Sequence, residues 1–279
     1  MFSLVYIELN LKIFNMINNL RFELSFKDIS QLQEKLNYCK SKRIININIP
    51  CKGNIKKQLY NKSFEFIRYN YEEFNVVYHY SLYHQYSKNN ETSYQEFLNF
   101  YHNCNSYNNC DILLVSGSIK KKNYDVIKVL NNLKKEKDLH NQLGIAYNPY
   151  LNKYFNFSLE RERYEKKIST GLINSVWIQF GTDIKLLERE VNFIQNYDNN
   201  KNLKLYGSLL IPSKQFIARF KFRPWTGVHI ANEYLYSLDN FYCYTKDLIS
   251  FYLDNNIIPV IETDFSSSVK FELIYGLFN

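Results

Sequence analysis

The stretch LGIAYNPYLNKYFNFSLERERYEKKISTGLINSVWIQFGTD, residues 143–183, decides the fold class of this chain. It begins with an apolar run over 143–147, continues with a charged helical pattern over 158–170, and ends with a second apolar run over 175–180. Gly171 follows the helical pattern, at the position where glycine commonly ends a helix. Two continuous apolar strands joined by a crossover helix predict a parallel βαβ unit whose strands are buried on both faces.

The same alternation of strand and helix continues on both sides of this unit. Six further strand-like runs cover 20–26, 43–49, 76–80, 111–115, 203–211 and 257–261. Helical patterns cover 28–41, 55–73, 93–104, 124–137, 184–195, 213–221 and 238–254, with a short one from Ser267. Eight alternating units predict a single (β/α)8 TIM barrel over residues 18–279, preceded by an N-terminal extension over 1–17.

An open Rossmann-like sheet is the main competing fold. Such sheets bind dinucleotides through a G-x-G-x-x-G loop, in which closely spaced glycines let the backbone approach the pyrophosphate. The 8 glycines of this chain are spaced singly and form no such loop. The glycine spacing therefore favours the closed barrel.

The net charge of +8 would suit nucleic acid or an anionic small molecule. The lysines are dispersed apart from short runs at 120–122 and 134–135, a pattern typical of a solvated surface. The charge therefore favours a phosphate-bearing cofactor or a polyanionic substrate. The dispersed charge makes a nucleic-acid-binding accessory protein a weaker hypothesis than a protein that binds such a small molecule.

The five cysteines are irregularly spaced, which predicts neither a disulfide framework nor a metal site. Free thiols are typical of a reducing compartment. No apolar run approaches the ~20 residues that a transmembrane helix needs, and the first residues lack the pattern of a secretory signal. We expect a cytoplasmic protein without a membrane segment.

In a (β/α)8 barrel, functional side chains lie at the carboxyl ends of the strands. The strand ends of this chain offer an acid, an imidazole, hydroxyls and an amide, namely Glu23, His79, Ser116, Ser118, Tyr147 and Gln179. Two of these have a purely structural alternative. Glu23 would pair with Arg21 or Lys27, and His79 would be a hydrogen-bonded core histidine.

Several of these segments, taken in order, resemble the methylenetetrahydrofolate reductase family of flavin-dependent (β/α)8 barrels. The matching segments are Arg21-Phe22-Glu23-Leu24, Tyr78-His79-Tyr80-Ser81, Ala146 with Pro149, Lys166-Lys167 with Gly171, Gln179-Phe180, and Leu209 to Ser213. The segment 207–236, with Pro224-Trp225-x-Gly227, resembles a divergent branch of that family found in plants and protists.

The resemblance implies an oxidoreductase of one-carbon and methionine metabolism. NAD(P)H would reduce FAD, and the flavin would reduce 5,10-methylenetetrahydrofolate to 5-methyltetrahydrofolate. Glu23 is implied as the catalytic proton donor, and Gln179 and Phe180 as folate-binding residues. The residues implied to bind the flavin are His79, Ser116, Gly117, Ser118, Ala146, Tyr147 and Lys166. Whether the protein forms a homo-oligomer is left open.

The segment after the fourth strand departs from the family pattern Ala-Leu-Arg-Gly-Asp. Ser116 stands at the arginine position and Ser118 at the position of an aspartate that the family places over the flavin. A serine donates a hydrogen bond but carries no charge, so it does not replace the electrostatic role of the aspartate. The alternative hypothesis is therefore a barrel that has lost the reaction and acts as a binding or regulatory protein.

Overall fold

The structure is a computed structural model that describes most of the chain. The described residues are 19–52, 55–107, 109–117, 124–136, 139, 143–151, 158–197, 203–262, 272–274 and 276–278. The predicted N-terminal extension over 1–17 and the start of the helix predicted from Ser267 lie outside them.

Eight parallel strands close into a barrel in sequence order, which confirms the predicted single (β/α)8 fold. The first strand pairs with the second on one side and with the eighth on the other, so neither end of the sheet is left as an edge. The strands are β1 Arg21–Glu23, β2 Asn46–Ile49, β3 Asn75–Ser81, β4 Cys110–Val115, β5 Leu143–Tyr147, β6 Ile173–Ile178, β7 Lys204–Leu209 and β8 Ile257–Ile261.

Helices follow the strands, as the predicted alternation requires. They are α1 Ile29–Ser41, α2 Lys57–Asn70, α3 Asn90–Asn105, α4 Val126–Leu133, α5 Ser158–Ile168, α6 Ile184–Tyr197, α7 Lys214–Phe222, α8 Asn232–Tyr236 and α9 Leu238–Asp254. Side-chain caps fix several of their starts, because an oxygen of the capping residue accepts a hydrogen bond from a backbone amide of the first turn. The caps are Asp28, Asn89, Asp125, Ser213 and Ser237.

The crossover unit over residues 143–183 forms with three changes of boundary, one of which is the start of β6 at Ile173 instead of residue 175. α5 ends at Ile168, and Gly171 follows with φ 77°, a conformation that glycine adopts without strain. β6 ends at Ile178, so Gln179, predicted inside the strand, follows it at the end of the barrel. The almost continuous apolar character of the segment gives no alternation from which the sequence could fix this boundary.

Several other predicted bounds differ by one to four residues, and β1 and α8 also differ from the sequence prediction. β1 has three residues instead of the seven predicted over 20–26. Leu24 makes one more backbone bond, from its amide to the carbonyl of Asn48 (2.8 Å), before the chain turns toward the cap of α1. The helix α8 was not predicted, because five residues are too short to show a helical period.

Bulky side chains fill the middle of the barrel. Trp177 of β6 and Tyr206 of β7 stack with ring centroids 4.1 Å apart, surrounded by Val77, Leu113 and Val260. The inward side chains above and below this layer are largely polar. A polar cavity of about 570 Å³ lies where the strands begin, at their amino ends. The filled middle of the barrel separates this cavity from the carboxyl ends of the strands.

No helix in the described part of the chain combines the length and the apolar character needed to cross a lipid bilayer.

Candidate functional site

Two carboxyl groups lie side by side at the carboxyl end of the barrel. In the register of β1 and β8, Arg21 is opposite Val260 and Phe22 is opposite Ile261. The next pair in this register is Glu23 and Glu262. On the other side of β8, the amide of Glu262 donates to the carbonyl of Leu209 in β7 (3.0 Å), so Glu262 continues the line of the strand past Ile261. Neighbouring strands are about 4.8 Å apart and side chains alternate between the two faces. Glu23 and Glu262 therefore share the inner face, as Val260 does.

Lys52, in the segment after β2, forms an ion pair with Glu23. The side chain of Glu23 is only 5% exposed, whereas that of Lys52 is 49% exposed. The ionic partner of Glu23 is therefore Lys52 and not Arg21 or Lys27, which the sequence suggested. One half-exposed ammonium group lies beside a buried carboxylate.

A row of hydrogen bonds through the barrel interior orients His79. Arg21 Nε donates to Asn48 Oδ1 (2.7 Å), so the amide nitrogen of Asn48 faces His79 Nε2 (3.1 Å) and donates to it. The proton of a neutral imidazole is then on Nδ1, which lies 3.7 Å from Glu23 Oε2. His79 is therefore a hydrogen-bonded inner histidine, as its structural alternative required, and at the same time a neighbour of Glu23.

The electrostatics of the site shift the pKa values of its two carboxyl groups in opposite directions. Burial raises the pKa of Glu23, but the Lys52 ammonium and His79 outweigh it and leave the pKa below its ordinary value. Burial and the neighbouring Glu23 raise the pKa of Glu262 to about 7, with Lys52 opposing them. Burial, with Lys52 and Arg21, lowers the pKa of His79 to about 4, although Glu23 opposes them. At neutral pH the site holds a charged Glu23, a neutral His79 and a Glu262 of which about half is protonated.

The predicted flavin-binding residues after β4 form a contact between two loops. The amide of Tyr83 donates to the carbonyl of Ser116 (3.2 Å). Gly117 has φ 87°, and a Cβ atom at this position would lie 2.6 Å from the Cβ of Tyr83. Close packing of the loops after β3 and β4 therefore requires glycine here. Ser118 lies outside the described residues.

The predicted flavin-binding residues of β5 and α5 lie in different places: the end of β5, the layer between strands and helices, and the outer surface of α5. Ala146 lies at the end of β5, and its carbonyl accepts a 3.1 Å hydrogen bond from Lys167 Nζ. Tyr147 points outward, since its hydroxyl donates to Glu190 of α6. Lys166 is exposed on α5, whereas Lys167 is buried. The lysine that approaches the end of β5 is therefore Lys167.

Of the two predicted folate-binding residues, only Gln179 lies at the barrel end with a partly exposed side chain. Its Oε1 accepts a 3.0 Å bond from the amide of Phe180, which leaves its NH2 group as a donor. Phe180 is buried against Phe241 and Tyr244 of α9, on the helix side of the strand. The structure thus places Gln179 with Glu23 and His79 at one end of the barrel, and Phe180 in the outer core.

Three members of the predicted flavin set, His79, Tyr147 and Lys166, do not lie together, and FAD binding stays a prediction. A pyrophosphate is bound by cations or by free backbone amides. The cation of the set, Lys166, is exposed on an outer helix, and His79 and Tyr147 use their polar atoms inside the protein. Among the described residues these groups do not converge on one pocket, and no step through the flavin follows from their geometry.

Three site residues were missed by the sequence interpretation: Asn48, Lys52 and Glu262. Glu262 directly follows a strand, so the strand-end rule that selected Glu23 would have found it. Asn48 lies next to the end of the predicted run 43–49, as His79 does in 76–80, but the abundance of asparagine in the chain masked this signal. Lys52 lies beyond a strand and had no comparable signal. No group of three or more His, Cys, Asp or Glu side chains suited to a metal ion occurs among the residues described.

Comparison with known proteins supports the fold. No protein-family model and no curated protein matches the chain. Among solved structures, an uncharacterised protein from Clostridium thermocellum that binds two copies of 5-methyl-5,6,7,8-tetrahydrofolic acid is similar, with 15% identity, a TM-score of 0.61 and 97% of each chain covered. Active domain 2 of a thermostable chitinase from Pyrococcus furiosus is similar with 11% identity and a TM-score of 0.50, over 86% of this chain and 82% of that one. At these identities the likeness concerns the fold.

Proposed function

We propose that this protein binds a reduced folate at the carboxyl end of its barrel. The observation that carries the proposal is the group formed by Glu23, Lys52, His79 and Glu262 on the inner face of that end. Two further facts support it. The segments that resemble a folate-dependent family include Glu23 and Gln179. The Clostridium thermocellum protein, whose fold matches over 97% of each chain, binds a reduced folate.

The chemistry of the site suits a pterin ring. A reduced pterin presents an exocyclic amine beside a ring N–H, and an ionised carboxylate accepts such a pair of donors. A carboxylate has about four acceptor positions, so Glu23 retains some beside its bond to Lys52. The free NH2 group of Gln179 offers a donor for an acceptor atom on the ring.

Flavin-dependent reduction of methylenetetrahydrofolate with NAD(P)H is the narrower form of this proposal, and it rests on the sequence resemblance. It requires Glu23 to donate a proton, whereas Lys52 keeps that carboxyl group ionised. His79, Tyr147 and Lys166 do not converge on one pocket among the described residues, and Ser116 carries no charge. We therefore favour the alternative from the sequence, a barrel that has lost the reaction and acts as a binding or regulatory protein, and we propose a reduced folate as its ligand.

The proposal is tested by calorimetric titration of the full chain with 5-methyltetrahydrofolate. We expect binding by the wild type and a Kd at least about tenfold higher for Glu23→Gln, since a charge-assisted hydrogen bond contributes about 1.4 kcal/mol or more. Glu73→Gln, which alters only the exposed ion pair with Lys40, is the control and should bind like the wild type. Absence of wild-type binding at millimolar ligand would refute the proposal.

The absorbance spectrum of the purified protein, before and after incubation with FAD and desalting, separates the two forms of the proposal. We expect no retained flavin bands. Retained bands would overturn our preference for the binding protein and restore the reductase.

A further inference from the structure

We propose that Glu262 is a second functional acid of this site, which keeps its proton up to near-neutral pH and donates it in a hydrogen bond to the ligand. The sequence resemblance assigns no role to this residue. The role toward a folate rests on the proposed function, whereas the protonation of Glu262 does not.

The first argument is geometric. The register of β1 and β8 places Glu262 next to Glu23 on the inner face. Among the residues that the structure describes, one ammonium group, that of Lys52, interacts with both carboxyl groups, and it forms its ion pair with Glu23. Glu23 is buried and Glu262 is partly buried. Two such neighbouring carboxyl groups that share one cation do not both ionise fully at neutral pH, because the second charge would face the first across a poorly solvated gap. The ion pair fixes the charge on Glu23, so the proton resides on Glu262.

The second argument concerns the surroundings of Glu262 on each neighbouring element. Glu23 of β1 opposes its ionisation, while Lys52 after β2 and the hydroxyl of Ser208 on β7 favour it. His79 lies behind Glu23 and is neutral, so it adds no positive charge. Burial and Glu23 prevail, which agrees with the geometric argument.

The consequence is a site with complementary groups on adjacent strands. Glu23 is a charged acceptor, and Glu262 is a neutral acid whose O–H is a donor. A heterocycle with a donor edge and an acceptor atom would be held by both carboxyl groups at once. Ionisation of Glu262 would replace this donor by a second negative charge, so affinity would fall as the pH rises through about 7.

The protonation of Glu262 is tested without ligand, by NMR titration of protein labelled with 13C at the glutamate carboxyl carbons. We expect one carboxyl group with a midpoint near pH 7, absent in Glu262→Gln and present in the exposed control Glu34→Gln. In Glu23→Gln the midpoint should fall by about one pH unit or more, because the neighbouring charge is gone. The proposal is overturned if every glutamate titrates below about pH 6, or if the near-neutral signal survives in Glu262→Gln.

The role toward the ligand is tested by the pH dependence of 5-methyltetrahydrofolate binding. Between pH 7 and 8 the wild-type affinity should fall several-fold, by up to about tenfold per pH unit. Glu262→Gln should bind with a nearly constant affinity, because its amide donates at every pH. A pH-independent wild-type affinity would overturn this role. A protein that binds no folate, yet shows the near-neutral carboxyl group, would refute the proposed function and retain the protonated Glu262.

Discussion

At the scale of single residues, Asn48 determines the direction of the hydrogen bonds that link Arg21 to His79 inside the barrel. It is fully buried, and its two polar atoms have opposite roles: Oδ1 accepts from Arg21, and Nδ2 donates to His79. Arginine has no acceptor, so this bond fixes the orientation of the amide. The amide in turn fixes the tautomer of His79 and directs its N–H toward Glu23. The charge on Glu23 is thus flanked by His79 on one side and Lys52 on the other.

Replacing Lys52 by methionine should make the protein less stable, and the loss should depend on pH. The folded pKa of Glu23 is lowered, so the stability it contributes is present above its unfolded pKa and is lost as the pH falls through the folded pKa. Without Lys52 we expect a loss of about 1–2 kcal/mol at pH 8, reduced because this lysine is half exposed, and a smaller loss near pH 4.

Urea unfolding of Lys52→Met across this pH range measures the effect. Lys40→Met, which removes the cation of an exposed lysine–glutamate pair, should change stability by no more than about 0.5 kcal/mol at either pH. An equal loss for Lys52→Met at both pH values would contradict the assignment of the charge to Glu23.

At the scale of secondary-structure elements, Glu190 joins a strand to two helices on the outside of the barrel. Its buried carboxylate accepts from Tyr147 of β5, from Arg161 of α5 at 2.9 and 3.1 Å, and from Arg189 of α6. Burial raises the pKa of Glu190, but the bonds to Arg161 and Tyr147 outweigh it and keep the group ionised. The crossover unit that reveals the fold in the sequence is therefore held by a charged network that no periodicity shows.

We expect Glu190→Ala to reduce the free energy of unfolding by about 3 kcal/mol, since it leaves a buried tyrosine hydroxyl and two arginines without their common acceptor. Glu188→Ala, an exposed position on the same helix, is the matched control and should change it by less than about 0.5 kcal/mol. Chemical unfolding at neutral pH measures both variants, and a similar small effect for the two would show that the network contributes little.

At the scale of the whole molecule, the stacked pair of Trp177 and Tyr206 closes the interior of the barrel between the amino ends and the carboxyl ends of the strands. Trp177 occupies the space beside Gly144, where a Cβ atom would lie 2.4 Å from the indole nitrogen. The stack of Trp177 on Tyr206 fills the interior between the cavity at the amino end and the carboxyl groups at the other. A ligand at the carboxyl end therefore enters from that end.

A methyl group at position 144 should disturb this layer. Gly144→Ala should cost about 1–3 kcal/mol, because the indole of Trp177 must shift within a packed interior. Gly276→Ala is the control, since no heavy atom of the described residues lies within 4 Å of its added methyl group. Urea unfolding followed by tryptophan fluorescence measures the loss, and equal stabilities of the two variants would refute the tight packing at this position.

The sequence by itself determined the fold class of this protein. The period of apolar residues changes repeatedly between strand and helix, and this local pattern requires no knowledge of distant contacts. It also located Glu23, His79 and Gln179 at strand ends, because in a parallel barrel all strands end on the same side. It did not fix the short β1, the end of β6 or the helix α8, where the apolar pattern is continuous or too brief.

Only the tertiary structure decided which of these residues form a site and in which charge state. Glu23 and Glu262 belong to the first and last strands, and they become neighbours because the barrel closes between β1 and β8. Asn48 and Lys52, in β2 and just after it, reach His79 and Glu23 because β2 pairs with β1 and β3. By contrast, Lys166 lies on the outer surface and Phe180 in the outer core. The protonation of a carboxyl group depends on burial and on neighbouring charges, and both are properties of the folded chain.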